Sequence, residues 1–91
     1  MAGKKRERLD LIYDILQAIR KSRNEIGPTK LLFLSNLSSK MFKDYITELQ
    51  EKDFIIETIE KNKKKYSLTK KGNEFIDKYK EMKQFIENFG L

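Results

Sequence analysis

The amino-acid sequence predicts a mainly α fold with one small β-hairpin (α+β), and three observations carry that expectation. Apolar residues recur at helical spacing in several separate stretches. One stretch, Phe54 to Ile59, is instead rich in β-branched and aromatic residues and leads into a polar turn and an alternating segment. Ninety-one residues leave room for one small core, not for two.

The elements follow in order. Residues 1–7 are polar and aperiodic, which predicts a flexible basic arm carrying Lys4, Lys5 and Arg6, with Arg8 just behind it. Ile12, Ile15, Leu16 and Ile19 then fall at i, i+3, i+4 and i+7, and Leu9 extends the stripe one turn earlier. Arg20, Lys21 and Arg23 close this helix where positive charge suits the C-terminal dipole. Asn24 to Pro28 break it. Thr29 is the candidate cap of a short second helix ending near Ser35-Asn36, whose run Leu31 to Leu34 is apolar nearly all round. Ser38 or Ser39 caps a third helix, about 39–51, with the stripe Phe42, Tyr45, Ile46 and Leu49. Its other face shows Ser39, Lys40, Lys43, Thr47 and Gln50. About three residues separate the two helices, the spacing of a helix-turn-helix.

Lys52-Asp53 end the third helix, and Asp tolerates the left-handed backbone such an end requires. Phe54 to Ile59 is the first strand, Glu60 to Lys63 the turn, and Lys64 to Leu68 the second strand with Tyr66 and Leu68 inward. A hairpin with a lysine-covered tip after a helix-turn-helix is a wing, so residues 8–69 read as a winged helix-turn-helix head. Thr69 caps a last helix, about 70–89, and residues 70–91 form a C-terminal dimerisation helix in this reading. Phe75, Tyr79, Met82, Ile86 and Phe89 step +4, +3, +4, +3, an a/d seam that Ile76 and Phe85 widen. A small head has little core left for so many large side chains. The outer half of the helix, Phe75, Tyr79, Met82, Phe85, Ile86 and Phe89, is therefore expected at an interface between two copies. Packing of the helix onto its own head is the alternative.

Composition narrows the chemistry. The sequence has no cysteine and no histidine, which excludes disulfides, thiolate nucleophiles and the commonest general base and zinc ligand. No long apolar run suggests a membrane span or signal peptide, so a cytoplasmic protein is expected. The formal charge of +6 is unevenly placed, with +4 in residues 1–23 and +5 in residues 60–72. Two basic clusters on a small fold suggest a polyanion-binding surface. Charge alone is equally compatible with the Lys/Glu/Ile-rich surfaces of thermophiles or with an AT-rich genome.

The segment Thr29-Lys30-Leu31-Leu32-Phe33-Leu34-Ser35-Asn36-Leu37-Ser38 resembles the "T-R-I-M-Y-x-A-N-L-S" block of a family of small archaeal winged-helix proteins. That family includes the 10a-type chromatin-associated DNA-binding proteins of thermophilic archaea. Tyr45 to Leu49 with Asp53-Phe54-Ile55 is similar to its "Y-L-x-x-L…G-L-I" segment, and Tyr66 to Gly72 to its "Y-x-L-T-x-K-G" block. The match spans roughly residues 8–80 in order and spacing. Lys30, Leu32 and Phe33 stand where the family often has Arg, Met and Tyr, Asp53 replaces a Gly, and the final helix is shorter than in the chromatin-type members. The resemblance implies a homodimer joined by an antiparallel coiled coil, with one winged-helix head at each end.

The expected function is double-stranded DNA binding, by a transcriptional regulator or a nucleoid-associated architectural factor. The third helix enters the major groove through Ser38, Ser39, Lys40, Lys43 and Thr47. Lys61, Lys63, Lys64 and Lys65 lie along the backbone or minor groove, as do Lys4, Lys5 and Arg6 of the arm. No Arg, Asn or Gln occupies the early exposed positions of the third helix, so phosphate contacts dominate and base reading is modest. The competing reading is a winged-helix module that docks proteins without touching DNA. Paired carboxylates such as Glu48/Glu51 and Glu57/Glu60 have no histidine or glycine-rich loop beside them, so no enzyme, cofactor, small-molecule substrate or membrane partner is expected.

Overall fold

Each helix begins where the sequence supplies a start signal, and those starts set the architecture. The computed structural model describes residues 7–91. Helix α1 runs Arg8–Lys21, α2 Pro28–Ser35, α3 Ser39–Glu51, strand β1 Ile55–Glu60, β2 Lys63–Leu68, and α4 Lys70–Glu87. Ser38 caps α3 by accepting from the Met41 N–H at 3.2 Å, and Thr69 caps α4 by accepting from the Gly72 N–H at 3.1 Å. The cap of α2 is Gly27 rather than Thr29, because Pro28 takes the first helical position. Its fixed φ suits that place, and its missing N–H would have no partner there.

Helix α1 buries Leu11, Ile12, Ile15, Leu16 and Ile19. Leu9 is exposed, since the stripe begins two residues later than its periodicity suggested. Leu31 and Ser35 are the buried residues of α2, while Phe33 and Leu34 face outward. A helix of eight residues with neighbours on one side only cannot cover an all-round apolar surface. Three residues link α2 to α3, and Asn36 makes the corner in the left-handed region at φ 56°. Phe42, Ile46 and Leu49 of α3 complete the core with Ile55, Tyr66, Leu68 and Ile76; Tyr45 packs against it half-buried.

The strands pair antiparallel with Ile55 opposite Leu68 and Glu60 opposite Lys63. This leaves Lys61-Asn62 as a two-residue loop, with φ of 52° and 66°. Both positive values match the tight hairpin turn whose twist follows that of the strands. A third backbone segment, which the sequence did not reveal, completes the sheet edge. Ile26 bridges β2, exchanging hydrogen bonds of 3.1 and 2.8 Å with Tyr66. Asp53 takes the left-handed conformation at φ 62° as expected at the end of α3.

Helix α4 is seated at its root and along its first half. Phe54, Phe75, Tyr79 and Tyr13 form a chain of ring contacts with centroids 5.7, 5.6 and 5.1 Å apart. Arg20 pairs with Asp77 at 2.9 Å. From Lys80 to Leu91 every residue is exposed. No helix among the described residues is long and apolar enough to cross a membrane.

Candidate nucleic-acid interface

The N-terminal turn of α3 is built so that its polar side chains have little structural work. Its apolar stripe turns Phe42 and Ile46 inward, and helical geometry then turns Ser39, Lys40, Lys43 and Thr47 to solvent. Ser38 differs, because its hydroxyl is occupied by the cap bond to Met41. Lys40 lies 3.6 Å from Asp44 on the same face, a loose and fully wet pair. Lys43 has no ion-pair partner among the described residues.

The hairpin register decides what meets this face. Directly paired residues of an antiparallel hairpin share a side. Lys64 is therefore on the side of Ile55, Glu57, Ile59, Tyr66 and Leu68, which packs toward α3, while Lys63 and Lys65 are on the other. A groove runs between helix and wing, lined by Lys43, Thr47, Gln50, Glu57 and Lys64 over a floor of Phe42, Ile46 and Tyr66. Within it Gln50 Nε2 donates to Glu57 Oε1 at 3.0 Å, and Lys64 Nζ lies 3.8 Å from the same oxygen. Burial pushes the Tyr66 phenol upward, with the nearby Glu57 charge adding to it. One carboxylate thus sits between the two cationic walls. The sequence shows Gln50 on the exposed helix face and Glu57 beside Glu60 but does not join them, since their meeting depends on how the hairpin folds back. Lys61 is at the loop with Asn62, and both are exposed.

The structure therefore brings Lys43, Thr47 and Lys64 together in one groove, with Ser39 and Lys40 on the same exposed helix, and turns Lys63 and Lys65 to the other side of the wing. Lys4, Lys5 and Arg6 lie outside the described residues. Arg8, read with the arm, is the first residue of α1 and is held by α3: its guanidinium donates to both oxygens of Glu48, one at 2.9 Å. Lys52 reaches Glu48 at 2.8 Å. The Arg8 and Lys52 hydrogen bonds hold the Glu48 carboxyl at about 2. This fork clamps the start of α1 to α3 behind the exposed face.

On α4 the seam residues divide. Phe75 packs against the head and Tyr79 is buried on it, so both are committed within the chain. The Tyr79 hydroxyl donates to Asp10, with Lys83 3.4 Å from the same carboxylate. Burial, with that hydrogen bond, raises the Tyr79 phenol to about 12, and the Tyr79 bond lowers Asp10. Met82, Phe85, Ile86 and Phe89 are exposed, Phe85 at 63% and Phe89 at 68%, with the two rings 5.1 Å apart. Among the described residues no three acidic, histidine or cysteine side chains gather to hold a metal ion.

A family model described as winged helix-turn-helix matches residues 5–87. An uncharacterised protein of Methanocaldococcus jannaschii is 33% identical over 82 residues, which is 90% of this chain and 36% of that protein. The chain thus spans about a third of the length of that relative. Among solved structures, Sso10a-2, a DNA-binding protein from Sulfolobus solfataricus, superposes with a TM-score of 0.77 at 21% identity, covering 92% of this chain and 85% of that one. A winged-helix DNA-binding protein from STIV superposes with the same TM-score at 19% identity, covering 90% and 95%.

Proposed function

The chain belongs to the winged helix-turn-helix family, and from that premise we propose that it is a homodimeric double-stranded DNA-binding protein, a transcriptional regulator or nucleoid-associated architectural factor of the cytoplasm. It works by binding alone, with no cofactor and no catalysed step. The N-terminal part of α3 enters the major groove, presenting the exposed face that carries Ser39, Lys40, Lys43 and Thr47. The wing lies along the flanking backbone, with Lys64 on the side toward α3, Lys61 in the loop, and Lys63 and Lys65 on the outer side; Lys4, Lys5 and Arg6 add phosphate contacts from the arm. Ser38 contributes through its backbone N–H, because its hydroxyl caps the helix.

The observation that carries this reading is the groove in which Lys43 and Thr47 of α3 face Lys64 of the wing. Six lysines, Lys40, Lys43, Lys61, Lys63, Lys64 and Lys65, stand on these two elements against Asp44, Glu48, Glu51, Glu57 and Glu60, and of these acids Glu48 is taken up by Arg8 and Lys52. Cations on both walls of this groove, one wall being α3 itself, suit a duplex, whose phosphates flank the groove that such a helix enters. The two solved neighbours are DNA-binding proteins, which is consistent with the same use of this fold.

Self-association is supported by Met82, Phe85, Ile86 and Phe89, a contiguous apolar face on a helix that has left its own head. An antiparallel pairing of two such helices would cover it and carry the heads to opposite ends. Helix α4 has 18 residues, about 27 Å at 1.5 Å per residue, which approaches the helical turn of about 34 Å between neighbouring major grooves.

The test is binding to a mixed-sequence duplex across a salt series. Affinity falls steeply, with a log–log slope of several units. A flat response, or no binding at low salt by a monomeric chain, supports the protein-docking alternative instead.

A further inference from the structure

The wing tip carries a side chain that neither the fold nor a purely electrostatic contact requires. Ile59 is 67% exposed near the end of β1, one residue before the closing Glu60–Lys63 pair. A large aliphatic group at that position packs on almost nothing, and on a two-stranded edge it is a liability that a threonine or lysine would remove. Its surroundings are cationic. Lys64 is directly opposite on β2, on the same side of the hairpin, and Lys61 follows two residues later in the loop. Glu60 pairs across to Lys63 and so shares the opposite side, while Glu57, two residues back on the Ile59 side, accepts from Gln50 and lies 3.8 Å from Lys64. Ile59 and Lys64 therefore form an apolar–cationic pair on the side of the hairpin that looks toward α3, and the groove lined by Lys43 and Thr47 continues from it.

We propose that Ile59 is an apolar minor-groove contact, seated against the deoxyribose C–H walls while Lys61 and Lys64 take the phosphates on either side. The charge pattern selects the occupant. A protein strand added to the β1 edge would ask for no ring of lysines, whereas the minor groove is a narrow slot of about 6 Å with hydrocarbon walls between two lines of phosphate. Apolar side chains recur in proteins that bind this groove, where they press in at the base steps and partly unstack them. This inference rests on the DNA-binding reading and adds to it a contact that salt does not screen. It also places sequence or shape preference in the wing, where α3 offers little bidentate base reading.

The experiment compares three variants with the wild-type chain on a fluorescein-labelled mixed-sequence duplex over a salt series. Ile59→Thr keeps the β-branch and strand preference but removes the apolar tip. Ile59→Val keeps an apolar tip. Ile56→Thr makes the same change on the same strand, on the opposite side of the hairpin, where Ile56 is 49% exposed. Ile59→Thr is expected to weaken binding about five- to tenfold, the loss when one covered aliphatic group returns to water, with the salt slope unchanged. Ile59→Val, which removes one methylene, loses no more than about fourfold, and Ile56→Thr stays at wild-type affinity. Wild-type affinity for Ile59→Thr, an equal loss for Ile56→Thr, or a loss that appears as a lower salt slope each overturns the proposal. Failure of the wild-type chain to bind at all would instead overturn the DNA-binding reading. Thermal melts of each variant separate loss of contact from loss of fold, and Ile59→Val keeps the question open to measurement should Ile59→Thr melt early.

Discussion

Replacing Gly72 by alanine should destabilise the protein, although helix propensity alone argues the reverse. In an open helix the change stabilises by about 1 kcal/mol. Gly72 is buried in the first turn of α4, and a Cβ built there would lie deep inside the van der Waals radius of the Phe54 carbonyl oxygen and 3.3 Å from the Leu68 side chain. That carbonyl cannot swing away freely, because it accepts from the Thr69 N–H at 3.1 Å and lies 3.1 Å from the Thr69 hydroxyl. Relief requires α4 to move off the end of the hairpin, loosening bonds of about 1 kcal/mol each and overpacking Leu68 at about 1–3 kcal/mol. The steric loss outweighs the propensity gain, leaving a net destabilisation of about 2 kcal/mol. For a domain of this size that lowers Tm by about 10 °C. Circular dichroism melts at one fixed protomer concentration read it directly, the fixed concentration excluding mass-action shifts from self-association. An unchanged or raised Tm for Gly72→Ala would show that α4 is not wedged against the hairpin as described.

Three further outcomes are expected. Lys43→Ala combined with Lys64→Ala should weaken duplex binding and lower the log–log salt slope by about two without moving Tm; Lys65→Ala, on the outer side of the wing, should show the smaller loss. Phe85→Lys with Phe89→Lys should halve the mass measured by sedimentation and leave the head's melting intact, because neither ring touches the head core; a dimer that persists refutes the α4 interface. Acid should loosen the α1–α3 clamp in a defined window. The Glu48 carboxyl is held at about 2, below the ordinary carboxylate range, so its contribution is complete above about pH 4.5 and is lost as pH falls through about 2. The Tm difference between wild type and Glu48→Gln should shrink across that window, and a difference that stays constant down to pH 2 contradicts the pairing.

The legible parts were those coded locally. Ser38 and Thr69 cap their helices through their own side chains. The stripe Phe42, Ile46, Leu49 points α3 inward, and Asp53 turns the chain out of that helix. Each of these depends on residues within a turn or two, so sequence order suffices to find it. The resemblance over residues 8–80 agrees with the family to which the chain belongs. Thr29 misled because its capping chemistry competed with the stronger conformational preference of the adjacent Pro28.

Neighbouring lysines on a strand look equivalent in the sequence, yet pairing of Ile59 with Lys64 and of Thr58 with Lys65 sends them to opposite sides. Nor does the heptad spacing of α4 say where the head ends. Phe75 and Tyr79 belong to it because Tyr13 and Phe54 approach from elsewhere in the chain, and Met82, Phe85, Ile86 and Phe89 are left exposed because the head ends before them. Arg8 reads as one more basic residue of the arm until Glu48, forty residues away, closes a fork on it. Caps and periodicity are properties of a single segment, so the amino-acid order was enough to specify them. The partner of a charge or an aromatic ring is a property of two segments, and it exists only once folding has set the strand register and the angle between helices.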